Sequence, residues 1–130
     1  MINERRAAGA VCGSRGTFAP APAVAWQVQL TAAAYGHSRD MADNNYFGHD
    51  SLDGRTLADR VTVQGYRWST LGENIAAGYG SVRQTVDAWM ASEGHCANMM
   101  DPRFTEFGVA CARNDSSLYR LYWTLDLGRP

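Results

Sequence analysis

Phe107-Gly108-Val109-Ala110-Cys111, Asn114-Asp115-Ser116-Ser117 and Tyr119-Arg120-Leu121-Tyr122-Trp123-Thr124-Leu125-Asp126-Leu127 decide the fold. Phe107, Val109 and Cys111 alternate with smaller residues, which predicts a strand over about 107–113. Tyr119, Leu121, Trp123, Leu125 and Leu127 alternate with Arg120, Tyr122, Thr124 and Asp126, which predicts a second strand. The Asn-Asp-Ser-Ser run between them supplies hairpin-turn residues. Everything upstream reads mainly as helix. Helices first and a hairpin last predict an α+β chain, not a parallel sheet.

Upstream of the hairpin, residues 24–44 carry Trp26, Leu30, Ala33, Ala34, His37 and Met41 at three- and four-residue spacing. That is the stripe of an amphipathic helix, ended by Asn44-Asn45. Thr56 with Asp59 forms a candidate capping box for a short helix to about residue 63. Ser81 with Gln84 is a second candidate box. Behind it Val82, Val86, Trp89 and Met90 share a face, and Gly94 is read as the stop. Residues 71–78 have an extended or turning character. A short helix is expected over 3–11 and an irregular connection over 14–23, where Gly16, Pro20 and Pro22 fall.

The 130 residues fit one domain, 1–130. Twelve basic residues face thirteen acidic ones. With no basic stripe and no recognition motif, nucleic acid is not an expected partner. Every basic residue is Arg. No apolar run is long enough for a transmembrane segment. The first six residues lack the apolar stretch of a secretory signal, so either the protein is cytosolic or a leader has been removed.

Three cysteines permit one bridge. Cys111 falls on the apolar side of the predicted strand, whereas Cys12 and Cys96 adjoin loop signals. The expected pairing is Cys12–Cys96, with Cys96–Cys111 the alternative. A bridge points to an oxidising compartment. No CxxC pattern supports a zinc ribbon or a thioredoxin-like motif.

The chain has three histidines. His37 lies on the helical apolar stripe and reads as a core residue satisfied by a hydrogen bond. His49 and His95 stand in Gly-flanked stretches, Gly48-His49-Asp50 and Gly94-His95-Cys96, and Glu73 follows Gly72. Two imidazoles and a carboxylate suit metal ligation or acid–base work if the three segments converge. There is no HExxH, no phosphate-binding glycine loop and no GxSxG elbow. Asn74 and Asn98 read first as local backbone partners.

Five stretches resemble one family in order and spacing over about residues 24–127. They are Ala34-Tyr35-Gly36-His37-Ser38-Arg39-Asp40-Met41-Ala42, Asn45-Tyr46-Phe47-Gly48-His49 and Gly72-Glu73-Asn74-Ile75-Ala76. Trp89-Met90-Ala91-Ser92-Glu93-Gly94-His95-Cys96-Ala97-Asn98-Met99-Met100 and Tyr122-Trp123-Thr124 complete the set. The pattern resembles the bacterial, SCP-like branch of the CAP superfamily: cysteine-rich secretory proteins, antigen 5 and pathogenesis-related class 1 proteins.

The resemblance implies a three-layer α-β-α sandwich with a small, mostly antiparallel central sheet. It also implies a secreted or periplasmic location, the signal peptide having been removed. A central cleft with two His and two acids is implied, matched here by His49, Glu73 and His95. The fourth position departs from the eukaryotic Trp-x-x-Glu, since Trp89 is followed at that spacing by Ser92. Glu93 should point elsewhere.

On this reading His49, Glu73 and His95 are the catalytic candidates, though no reaction is assigned. His49 and His95, with Glu73 as a further ligand, are the metal candidates. Ser92 and Asn74 belong to the cleft. No cofactor is required, and Zn²⁺ or another divalent cation is the candidate ion. Such an ion would weaken below about pH 6 as the imidazoles protonate. The expected function is a secreted module binding a metal, a lipid or a peptide, and the chain is expected to be a monomer. The alternative is a metal-dependent hydrolase acting on protein or cell wall through the same cleft.

Overall fold

The computed structural model describes residues 1–130. In chain order the elements are α1 (Ile2–Ala8), β1 (Ala10–Val11), β2 (Thr17–Phe18), β3 (Ala25–Trp26) and α2 (Val28–Asn44). There follow α3 (Leu57–Val63), β4 (Thr70–Ala77), α4 (Val82–Met90), α5 (Glu93–Met100), β5 (Glu106–Arg113) and β6 (Leu121–Arg129). A 3₁₀ turn, Gly13–Arg15, separates β1 from β2.

The long helix α2 begins later than its apolar spacing predicts. Gln27 caps it by accepting from the Gln29 N–H, and Asn45 ends it in the left-handed region at φ 51°. Trp26 therefore lies on β3, 57% exposed, and not on the helical stripe. In α3 both halves of the Thr56/Asp59 capping box form. The second box is only half made. Ser81 accepts from the Gln84 N–H, but the Gln84 side chain accepts from Gly80. Gly94 does not stop the following helix. The break falls at Ala91-Ser92, Ser92 is the N-cap of α5, and Gly94 sits inside its first turn.

The main sheet has strand order β3-β5-β6-β4. Its one parallel pair is β3–β5, and the β4–β6 and β5–β6 pairs are antiparallel. Residues 71–78 are thus mostly strand, where sequence pattern left strand and turn open. The β6 strand starts at Leu121, so Tyr119 precedes it, and Arg120 takes a left-handed φ of 67°.

Strand alternation sends side chains to two helical layers. Leu125 and Leu127 pack with Trp89, Val86, Met99 and Ile2, from α4, α5 and α1. On the opposite face Tyr122 packs with Met41 and Ala42, while Leu30 and Ala33 meet Val61. That face belongs to α2 and α3. Helices on both faces give the α-β-α order. Gly108 lets α2 approach: a Cβ there would fall 2.1 Å from the Thr31 nitrogen.

Two clasps fasten the N-terminal segment to α5. Cys12 and Cys96 form a disulfide, Cα–Cα 5.5 Å, leaving Cys111 free and half-buried. Arg6 is fully buried. Its guanidinium donates to the carbonyls of Pro22 (2.8 Å), Met99 (2.7 Å), Asp101 (3.0 Å) and Phe104 (3.3 Å). A cation at the C-terminal end of α5 also complements the helix dipole. No helix is long and apolar enough to cross a membrane.

Candidate functional site

The three candidate residues do not come from three loops. His49 is on the connection between α2 and α3, Glu73 is on strand β4, and His95 is in the first turn of α5. Since β4 is an edge strand, its neighbours can reach it from both faces and from the side.

Glu73 and its odd-numbered neighbours on β4 face α2 and α3. His49 Nδ1 lies 2.9 Å from Glu73 Oε1. Arg60 on α3 donates from Nη2 to Glu73 Oε2 at 2.7 Å and from Nη1 to the His49 carbonyl at 2.8 Å. The Glu73 and Arg60 side chains are 2% and 4% exposed, whereas that of His49 is 56% exposed. His37 Nε2 lies 2.7 Å from the Gly48 carbonyl, pinning the loop beside His49. That is the buried, hydrogen-bonded role its place on the helical stripe predicts.

Asn74 faces the other way, toward α5, and donates to the His95 carbonyl at 3.0 Å. Asn98 donates to the Asn74 side-chain oxygen at 3.1 Å and to the Glu73 carbonyl at 3.3 Å. Neither Asn serves a local turn. Together they fix the first turn of α5, and with it His95, to β4. Glu93 points away, as its position beside Ser92 predicts, and its carboxylate accepts from the backbone and hydroxyl of Ser14.

Charge follows from these contacts. Burial pushes the Glu73 carboxyl up. The hydrogen bond from His49, the adjoining Asp126 carboxyl and the charge of Arg60 outweigh burial and bring it down to about 2. The hydrogen bond to Glu73 raises the His49 pKa against partial burial. Burial, and then the charge of His49, lowers that of His95. Burial thus favours the neutral form of the His95 imidazole.

Sequence reading missed Arg60 and Asp126. Arg60 sits in a short polar-looking helix. Asp126 sits at an alternate position of β6 that looked solvent-facing, yet it is fully buried and lies directly across from Glu73. Its carboxyl is raised well above the ordinary Asp range by burial and by the charge of Glu73.

No three His, Cys, Asp or Glu side chains are grouped to hold a metal ion. Both Glu73 oxygens are engaged, one of them by a guanidinium that would repel a cation. The donor set does not fit a divalent ion.

A cavity of about 320 Å³ opens beside His95. Phe47, Ile75, Tyr79, Trp89 and Tyr119 supply most of its wall, and Ser92 and His95 supply polar groups. The Ser92 side chain caps no helix N–H, which leaves the hydroxyl free for the cavity. His49 and Glu73 are not among its lining residues.

A model of the cysteine-rich secretory protein (CAP) family matches residues 1–127. YkwD of Bacillus subtilis is 40% identical over 87 residues, which cover 67% of this chain and 34% of YkwD. YlbC of the same organism, a membrane protein, is 36% identical over 88 residues, 68% of this chain and 25% of YlbC. The chain therefore spans about a third or less of the length of these relatives. The crystal structure of an extracellular protein containing an SCP domain, from Bacillus anthracis, superposes with a TM-score of 0.75 at 37% identity. That match covers 85% of this chain and 35% of that protein. An outer surface protein of Borrelia burgdorferi shares the fold alone, with a TM-score of 0.73 at 17% identity over 84% of this chain and 79% of its own.

Proposed function

The chain belongs to the cysteine-rich secretory protein (CAP) family, and from that premise we propose that residues 1–130 act as one secreted binding domain for a small, largely apolar ligand. The observation that carries this reading is the cavity of about 320 Å³ beside His95. Its apolar wall would take the hydrocarbon part of a ligand. Ser92 and a neutral His95 would take its polar end, each able to donate or accept a hydrogen bond. The Cys12–Cys96 bridge and the extracellular setting of the Bacillus anthracis relative support secretion.

A lipid-like ligand is favoured over an extended peptide. A peptide binding by strand addition needs free main-chain groups on a sheet edge. On β4 the Ile75 carbonyl accepts from the Trp89 indole at 3.0 Å, and that of Glu73 accepts from Asn98. What remains is apolar wall, which a hydrocarbon chain satisfies without main-chain pairing.

The test is fluorescence titration with dansyl-labelled undecanoic acid. Wild type and His49→Ala should bind alike, since His49 does not line the cavity. Ala88 lines the cavity from α4, so Ala88→Phe fills it and should weaken binding by about tenfold or more, a loss of about 1.4 kcal/mol. Equal binding by Ala88→Phe would remove this reading. Casein or peptidoglycan hydrolysis by wild type that is lost in His95→Ala would put the hydrolase reading in its place.

A further inference from the structure

We infer that Asp126 carries a carboxyl hydrogen which it donates to Glu73, and that this buried acid pair positions Glu73 so that His49 keeps its hydrogen on Nδ1 and presents a bare Nε2 to solvent. The inference concerns the polar cluster under His49 and does not depend on what the cavity beside His95 binds.

Three observations carry it. First, Glu73 and Asp126 are direct partners across the antiparallel β4–β6 pair. Residues so paired project to the same face within contact distance, so the two carboxyls adjoin. Like charges placed this way repel. Second, Asp126 is fully buried, and no N–H or O–H of the ordinary donor groups reaches either of its oxygens. A buried carboxylate without donors is strongly disfavoured. A hydrogen on one oxygen, shared with Glu73, removes the repulsion and satisfies the pair.

Third, the fully buried charges around the pair balance with that hydrogen present. The groups that face it are Arg60 from α3, His37 from α2 and His49 from the loop before α3. His37 holds the Gly48 carbonyl through Nε2, and burial lowers its pKa, so it is neutral. Arg60 is the one cation buried against the pair, His49 being half-exposed, and it bonds Glu73, not Asp126. One guanidinium offsets one carboxylate. Glu73, with charge-assisted bonds to both oxygens, is the ionised member, and Asp126 is the neutral one.

The consequence reaches the surface through Glu73. With Oε2 held by Arg60 and the carboxylate ionised, Oε1 can only accept, so the facing His49 Nδ1 donates. The neutral ring then has its lone pair on Nε2, on the solvent side of a half-exposed side chain. Asp126 acts through Glu73 and is a positioning residue.

Infrared spectroscopy of the whole chain at pH 7 tests the first half. Wild type should show one carboxylic-acid C=O stretch apart from the ionised carboxylates, and Asp126→Asn should lack it. Absence of that band in wild type overturns the inference, whether or not the variant folds. Nitrogen-15 NMR of His49 tests the second half. In Asp126→Asn, whose amide replaces the neutral acid as donor, His49 should keep the Nδ1–H tautomer and change its proton affinity by less than about twofold. A fall of about tenfold would mean that a negative charge had been removed, and would overturn the inference. In Asp126→Ala the single tautomer should give way to a mixture, and its retention would overturn the positioning role.

Discussion

Arg60 and Glu73 meet between α3 and the sheet, with Nη2 2.7 Å from Oε2 and both side chains almost wholly buried. The same guanidinium also holds the His49 carbonyl. One residue thus neutralises the buried carboxylate and fixes the backbone of the histidine bonded to it.

Removing that cation should be severe. Arg60→Met leaves Glu73 buried and uncompensated, and the expected loss is about 3–5 kcal/mol in urea unfolding. Arg60→Lys should recover only part of it, because a point charge cannot serve Glu73 and the His49 carbonyl in the same fork. Full recovery by Lys would show that charge alone matters.

The His49–Glu73 contact predicts a pH signature. The folded pKa of His49 is raised, so its contribution is fully present below about pH 6.5 and is lost as pH rises through the folded value. Glu73 is lowered to about 2, so its contribution is present above about pH 4.3 and fades as pH falls toward 2. His49→Ala should therefore flatten the stability profile above pH 6.5 and leave most of the acid limb, since Arg60 still holds Glu73. The effect above pH 6.5 should be small because the His49 side chain is half-exposed. Thermal melts from pH 5 to 9 check it, and an unchanged slope would contradict the contact.

The disulfide closes a long loop from Cys12, just before the 3₁₀ turn, to Cys96 in α5. Replacing both cysteines by Ala should cost about 2–5 kcal/mol. Because Cys96 adjoins His95, the same variant should broaden the His95 ring signals in NMR more than those of His49. Equal broadening would mean that the bridge stabilises the chain without steadying α5.

At Gly108 helix α2 lies tight against the sheet. In Gly108→Ala the new methyl would meet the Thr31 nitrogen at 2.1 Å. The backbone of α2 would have to shift, at a cost of about 1–3 kcal/mol or more. Calorimetry should show a clear drop in Tm, and an unchanged Tm would mean that α2 is not held that tightly.

Zinc titration calorimetry should give the same weak heats for wild type and His49→Ala, because Glu73 is already committed to Arg60 and His49. A tight site that disappears in His49→Ala would show that the donors rearrange around the ion.

Periodicity and capping chemistry made α2, α3, α4 and the closing hairpin legible in sequence, and loop signals pointed to the Cys12–Cys96 pair. The misreadings share a cause. Gly94 looked like a helix stop because glycine favours termini, yet the chain had already turned at Ser92. Glu73 looked like a turn residue because Gly72 and Asn74 are weak strand formers, while pairing with β6 makes the segment strand. Arg6, Arg60 and Asp126 carried no sequence signal of burial, because charge ordinarily goes with exposure. Their partners lie far off in the chain, mostly backbone carbonyls and one carboxylate, and only the packed layers bring them together.

At one border of the sheet, Trp89 and Asn98 already occupy carbonyls of β4, and at the other β3 is only two residues long. On the β4 border a second molecule therefore finds few open carbonyls on which to template itself, whereas β5 beyond Phe107 has no strand partner on its outer side. Fibril growth by sheet extension should therefore be resisted at the β4 border.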